Sequence, residues 1–177
     1  GEVFDTGALH AAIASNRFSG LVLDCWENEP GIDLDLLACV DFGTPHIAGY
    51  SRDGKANGTQ TTVRAVSRFF KLGIDDWTPA GVEPPANPVI ELDGAGRGEE
   101  STLAAAVLAT YEIERDDHAL RRNPDRFEQL RGDYPVRREF DSHSIRAQNI
   151  AAGTIDKLAR MGFKISGSID LRPQIPA

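Results

Sequence analysis

The chain has 177 residues, enough for one medium-sized domain or two small ones. Its 27 acidic and 19 basic side chains give a formal net charge of −8, which argues against binding to nucleic acid or to an anionic membrane. Apolar residues make up 41% of the chain, enough for a packed core, but no apolar stretch is long enough to span a bilayer.

The first fifty residues predict helices that alternate with short strands. Asp5 or Thr6 caps a first helix, and an apolar run predicts a buried strand over Leu21–Cys25. "IDLDLLACV" predicts a short helix or turn, and "VDFGTPHI" predicts a second short strand that Pro45 ends. This alternation is typical of the last α/β repeats of a doubly wound sheet.

A long helix and a linker follow these repeats. The pattern over Ser51–Leu72 predicts the helix, and Gly73 lies where its C-terminal end is expected. Three of its apolar residues share one face: Val63, Val66 and Phe70. Four prolines in "DDWTPAGVEPPANP" indicate a linker and place a domain boundary near Glu83. The predicted regions are therefore residues 1–82 and 83–177.

The second region predicts a small α+β module. Its strands are expected over Val89–Leu92, Arg138–Ile145 and Phe163–Ile165. Its helical stretches are expected over about Glu100–Glu114, Asp125–Leu130 and Asn149–Met161.

Polar side chains follow the two strands of the first region. In "LVLDCWENEP", Asp24 ends one strand and Glu29 comes five residues later, and His46 follows the next strand in "TPHIAGYS". Ligands of such sheets bind at the carboxyl ends of the strands. A His–Glu pair there suits acid–base catalysis, because the carboxylate orients the ring and the ring exchanges a proton with a substrate hydroxyl. A solvated Glu29 before Pro30 and a turn histidine fit the spacing as well.

The two cysteines, Cys25 and Cys39, form no C-x-x-C pair and have no histidine cluster near them. They predict reduced thiols in a cytoplasmic protein and no metal site. The start of the chain shows no signal-peptide pattern.

Three segments together resemble a known family. "GEVFDTGALHAAI", "LVLDCWENEP" and "TPHIAGYS", in this order, are similar to the C-terminal part of the nucleotide-binding domain of the D-isomer-specific 2-hydroxyacid dehydrogenases. "GYSRDGKANGT" and the later "YPVRREF" narrow the resemblance to the 4-phosphoerythronate dehydrogenase branch, which serves pyridoxal 5'-phosphate (vitamin B6) biosynthesis. It implies an α/β fold, in which the C-terminal part of a Rossmann-like doubly wound NAD-binding domain precedes a small α+β dimerisation domain.

The resemblance also assigns roles to residues. It implies that His46 is the general acid/base and Glu29 its carboxylate partner. Asp24 then faces the nicotinamide end of NAD, Gly49 lines the cofactor cleft, and Tyr50 lies against the phosphorylated hydroxy-acid substrate. The plainer alternatives are a strand-end cap for Asp24 and a helix entry for Gly49 and Tyr50. The expected assembly is a cytoplasmic homodimer.

By the same resemblance, the chain is the C-terminal part of an enzyme and is inactive alone. The family's carboxylate-binding arginine would stand immediately before Gly1, and the G-x-G-x-x-G turn and the substrate domain would lie further upstream. Two other functions stay open: another dehydrogenase of the family, such as a phosphoglycerate dehydrogenase with a regulatory tail, or a non-catalytic dimerisation module.

An arginine-rich run precedes the second strand of the module. Most of its charges predict a solvated surface, since Asp and Glu are interleaved with Arg. Arg137 and Arg138 are the exception, because the resemblance places them in the dimer contact. We expect one of them either to reach the substrate phosphate in the partner's active site or to pair with Glu139 or Asp133 of its own chain.

Overall fold

The computed structural model of the chain describes residues 3–166, and within them lie seven α-helices and five strands. The helices are α1 Thr6–Ala14, α2 Leu34–Cys39, α3 Arg52–Phe70, α4 Glu99–Thr110, α5 Ile113–Arg122, α6 Phe127–Gly132 and α7 Ala152–Arg160. The strands are β1 Val22–Leu23, β2 Phe42–Gly43, β3 Val89–Asp93, β4 Ser144–Gln148 and β5 Lys164–Ser166. Among the helices of this described part, none is both long and apolar enough to cross a membrane.

The chain divides into two compact units, one of Gly1–Ala48 with Glu112–Pro135 and one of Gly49–Tyr111 with Val136–Ala177. The units do not follow the predicted division at Glu83, because α5 and α6 pack with the first 48 residues. A boundary at Glu83 between a nucleotide-binding and a dimerisation domain stays a prediction.

The first unit contains a two-stranded parallel sheet. Val22 of β1 pairs with Phe42 of β2, and Leu23 pairs with Gly43. The expected strand over Leu21–Cys25 is thus shortened to two residues. The first helix begins at the predicted cap: Asp5 accepts from Ala8 N at 2.6 Å, ahead of α1.

The core of the first unit surrounds Trp26. Its ring packs with Leu36 and Leu37 of α2 and with Leu120 and Phe127 of the α5–α6 segment, and all five are almost fully buried. Gly43 is required beside them. A Cβ at this position would lie 2.6 Å from Leu37 Cδ1 and 2.9 Å from Trp26 Cζ2, so any side chain would push β2 off the ring.

Sequence reasoning missed α5 as a separate helix. The prediction ran one helix from Glu100 to Glu114, but α4 ends at Thr110 and a new helix begins at Ile113. Tyr111 is extended, with φ −150° and ψ 115°, which breaks the helix there. The break lets Leu120 enter the Trp26 core, although the surrounding sequence is highly charged.

The second unit contains a three-stranded sheet in the order β3-β4-β5. All three strands are parallel, with Ile90 opposite Ile145 and Ile145 opposite Ile165. Helices α4 and α7 pack on this sheet around Ala106 and Leu158, both fully buried. This region therefore has the α/β pattern, and the expected α+β arrangement is wrong.

Helix α3 differs from its expected packing. Ser67 is its buried residue, whereas Val66 is 43% and Phe70 65% exposed. The apolar face predicted from Val63, Val66 and Phe70 is therefore largely at the surface of the described unit. The helix ends as the sequence indicates, near Gly73, although the left-handed residue at its C-cap is Lys71, with φ +56°.

The strand predicted over Arg138–Ile145 begins only at Ser144. Arg138 lies before it and is held by Asp53 of α3, with Nε 2.8 Å from Oδ2 and Nη2 2.8 Å from Oδ1. Its Nη1 donates to the carbonyl of Glu83. Arg138 therefore does not pair with Glu139 or Asp133, and each nitrogen of its guanidinium has a partner within its own unit. The same pairing for Arg137 stays a prediction.

Acid should weaken the second unit through Asp53. The hydrogen bond from Arg138 lowers the pKa of Asp53, although burial opposes the shift. A carboxyl whose pKa falls on folding stabilises the protein above its unfolded pKa of about 3.9, and this contribution disappears as the pH falls through the folded value. We expect Asp53→Asn to lower the free energy of unfolding by about 2 kcal/mol at pH 7 and by less near pH 3. Urea denaturation at both pH values measures the difference.

Glu91→Gln is the matched control, because Glu91 also pairs with an arginine, Arg146, but both side chains are about 60% exposed. Such a pair contributes little, so this variant should match the parent at both pH values. An Asp53→Asn variant as stable as the parent at pH 7 would contradict the prediction.

Candidate active site

A tight turn follows β2 and carries His46. The histidine has φ +52°, a left-handed conformation that is uncommon for a residue with a side chain. Asp24, at the end of β1, holds the turn with both carboxylate oxygens. Its Oδ1 accepts from Ile47 N at 2.7 Å and from the Thr44 hydroxyl at 2.7 Å, and its Oδ2 accepts from Ala48 N at 2.9 Å. Asp24 is therefore the cap of this turn, and its contact with NAD stays a prediction.

His46 and Glu29 form a hydrogen-bonded pair. Nδ1 of the histidine lies 2.8 Å from Glu29 Oε2, and the other carboxylate oxygen, Oε1, accepts from Trp26 N at 2.7 Å. The Glu29 side chain is 17% exposed and that of His46 is 37% exposed. One partner is thus shielded and fixed, while the ring keeps access to solvent.

The protonation of the pair follows from its hydrogen bonds. Burial alone would raise the pKa of Glu29, but the hydrogen bonds from His46 and from Trp26 N outweigh it and lower the pKa. Glu29 is therefore ionised at neutral pH and can only accept. Nδ1 of His46 must donate to it, which leaves Nε2 as the nitrogen that can take up or release a proton.

Gly49 and Tyr50 belong to the second compact unit, at the entry of α3. Gly49 has φ +76°, and a Cβ built on it would meet no atom within 4 Å. The Tyr50 ring lies 4.1 Å from Lys55 Nζ, a cation–π contact. Ser51 caps the helix by accepting from Gly54 N at 2.8 Å. The helix-entry alternative thus describes this segment, and the cofactor and substrate roles of Gly49 and Tyr50 stay predictions.

Known enzymes of one name are similar to this chain. Erythronate-4-phosphate dehydrogenase of Bacteroides fragilis (strain YCH46) is 46% identical over 145 residues, which cover 82% of this chain and 39% of that protein. The enzyme of the same name from Edwardsiella ictaluri is 37% identical over 166 residues, which cover 92% of this chain and 43% of that protein. The chain is a homologue of the erythronate-4-phosphate dehydrogenases. The resemblance drawn from the sequence is confirmed.

The similarity covers only part of each relative, and one region of the chain also matches a family model. The chain spans about two fifths of the length of these erythronate-4-phosphate dehydrogenases. Residues 83–162 match the model of a domain of unknown function, DUF3410. This match begins at Glu83, and the proline-rich linker predicted a domain boundary near the same residue.

One contact of the site was not foreseen. Arg131 of α6 lies in the DUF3410 match, and its Nε is 3.3 Å from the carbonyl oxygen of His46. The two residues are 85 positions apart, and the arginine belongs to a run whose mixed charges predicted a solvated surface. The packing of Leu120 and Phe127 into the first unit helps to bring them together.

Among the described residues, no group of three or more His, Cys, Asp or Glu side chains could hold a metal ion. Cys25 and Cys39 are free thiols, and Cys39 is exposed.

Proposed function

We propose that this chain carries the acid–base half of an NAD-dependent dehydrogenase, an oxidoreductase that converts 4-phospho-D-erythronate to its 2-oxo acid in vitamin B6 biosynthesis. The hydrogen-bonded pair of His46 and Glu29, 2.8 Å apart, carries the proposal. The names of the homologous enzymes supply the substrate class. A homodimer in the cytoplasm stays a prediction.

His46 would act as the general base. Its Nε2 lone pair accepts the proton of the substrate C2 hydroxyl as the carbonyl forms, and returns it in the reverse reaction. Glu29 accepts from Nδ1, so it keeps the ring in the tautomer that has a free Nε2. The ionised carboxylate also stabilises the imidazolium that proton transfer creates.

Bound NAD would supply the acceptor for the C2 hydrogen. Two features of the chain fit this cofactor. The open space around Gly49 allows close approach to the backbone, as dinucleotide sites require. Asp24 could also accept from the nicotinamide amide, because a carboxylate has about four lone-pair sites and this one receives three hydrogen bonds.

A substrate panel on the complete enzyme tests the function. We expect NADH formation from 4-phospho-D-erythronate with a kcat/KM at least about 100-fold above those for 3-phospho-D-glycerate and D-lactate. A site that hydrogen-bonds both the C3 hydroxyl and the phosphate of the substrate leaves polar groups unpaired with 3-phospho-D-glycerate, which lacks that hydroxyl, and with D-lactate, which lacks the phosphate. The 177-residue chain, assayed beside it, should form no NADH. A preference for 3-phospho-D-glycerate would overturn the substrate, and failure with every 2-hydroxy acid would overturn the reaction.

A further inference from the structure

The backbone of His46 is supported from a distant part of the chain. Arg131 Nε donates to the His46 carbonyl across 3.3 Å. The histidine is left-handed, with φ +52°, a conformation that persists only where its surroundings hold it. Asp24 holds the following two N–H groups of the same turn. Arg131 and Asp24 therefore both hydrogen-bond to the backbone of this turn.

Helix α5 supports the strand that leads to this turn. Asp117 is only 5% exposed, and its Oδ1 accepts from Gly43 N of β2 at 2.7 Å, three residues before His46. Arg121 Nε lies 2.9 Å from both oxygens of Asp117. The two other nitrogens of Arg121 donate to the carbonyls of Leu37 at 2.6 Å and Val40 at 2.8 Å, at the C-terminal end of α2. One buried ion pair thus ties together β2, α2 and α5.

The same segment also supports the other member of the catalytic pair. Leu120 and Phe127 are fully buried against Trp26. The backbone N–H of Trp26 donates to Glu29 Oε1, and its ring Nε1 donates to the Thr44 carbonyl at 2.9 Å. A shift of the Trp26 core would therefore move Glu29 as well as the His46 turn.

We propose that the α5–α6 segment, Glu112–Pro135, positions the acid–base histidine, with Arg131 as a positioning residue. This rests on the proposed role of His46 as the general base. The segment lies inside the match to DUF3410, so the proposal gives part of that domain a role in catalysis in addition to any role in assembly.

The chemistry of the contact explains the choice of arginine. A guanidinium offers five donors in a planar fork and stays charged at every relevant pH, so it holds a carbonyl with less loss of freedom than an ammonium does. Catalysis is sensitive to such support, because a displacement of about 1 Å at the reacting atoms can cost about 10²-fold in rate.

Steady-state kinetics of the complete enzyme test the proposal. We expect Arg131→Ala to lower kcat about tenfold, with the KM values for substrate and NAD changed less than about twofold. Added guanidinium ion should restore part of the lost kcat. Arg126→Ala is the matched control, because Arg126 is exposed in the same segment and its Nε donates to Gln129 Oε1. An unchanged kcat in Arg131→Ala, or an equal loss in Arg126→Ala, would overturn the proposal.

Nuclear magnetic resonance of the 177-residue chain, labelled at histidine nitrogens, gives a test that needs no activity. Arg131→Ala should shift the ring signals of His46 and leave those of His10 unchanged, and Arg126→Ala should shift neither. Unmoved His46 signals would overturn the positioning role even in an active enzyme. If the His46 signals shift but the complete parent enzyme forms no NADH, the positioning role is supported and the proposed function is rejected.

Discussion

Replacing His46 by alanine in the complete enzyme is expected to lower turnover by about 10²–10⁴-fold. Alanine cannot accept the hydroxyl proton, and water is a poor substitute at neutral pH. The KM for NAD should change little, because the residues proposed to approach the cofactor, Asp24 and Gly49, are untouched. Initial rates of NADH formation at saturating substrate measure the effect.

Two further variants test whether the loss comes from the pair of His46 and Glu29. Glu29→Gln keeps the size of the side chain and an oxygen for Trp26 N, but removes the ionised partner of His46. We expect a loss of about tenfold or more in kcat, smaller than that of His46→Ala. His10→Ala is the control, since His10 lies on α1 and pairs with Asp33 at 3.4 Å. Normal turnover in His46→Ala would show that His46 is not the general base.

The contact between His46 and Glu29 could be predicted because its signal is local. Asp24 and Glu29 follow one strand, His46 follows the next, and parallel neighbouring strands bring their carboxyl ends together. The cap of α1 was predictable for the same reason: Asp5 stands immediately before the helix and accepts from a backbone N–H three residues later.

The support of the pair could not be predicted because it is remote. Gly43 and Asp117 are 74 residues apart, and no pattern within α5 distinguishes this buried aspartate from its exposed neighbours. His143 shows the same limit. It has polar neighbours on both sides in "DSHS" but is 3% exposed, with Nδ1 2.9 Å from the Asn87 carbonyl. Tertiary packing decides both cases, and charge and spacing along the chain do not record it.

The strand bounds were missed for a related reason. A strand was predicted over Arg138–Ile145. Asp53 binds the first residues of this stretch instead. Its carboxylate accepts from the Arg138 guanidinium and from Glu139 N, the latter at 2.7 Å. A side chain of α3 thus replaces the ladder partners that these residues would need in a sheet.

The largest loss of stability is expected at Asp117. Its carboxylate is the hydrogen-bond partner of Gly43 N and the ionic partner of Arg121, whose side chain is 29% exposed. Removing one member of a buried ion pair leaves the other charge uncompensated and typically costs about 3–5 kcal/mol. Here a buried backbone N–H would lose its acceptor at the same time. We therefore expect Asp117→Ala to lower the free energy of unfolding of the 177-residue chain by about 3–5 kcal/mol.

Urea denaturation measures this loss, and two comparisons assign its cause. Asp117→Asn keeps an oxygen for Gly43 N but loses the charge, so its destabilisation should fall between those of the parent and of Asp117→Ala. Glu128→Ala removes an exposed carboxylate from the same segment and should stay within about 0.5 kcal/mol of the parent. If Asp117→Ala unfolds at the same urea concentration as Glu128→Ala, the buried pair does not anchor α5 to the first unit. If Asp117→Asn is as unstable as Asp117→Ala, the ion pair with Arg121, and not the hydrogen bond to Gly43, provides the anchor.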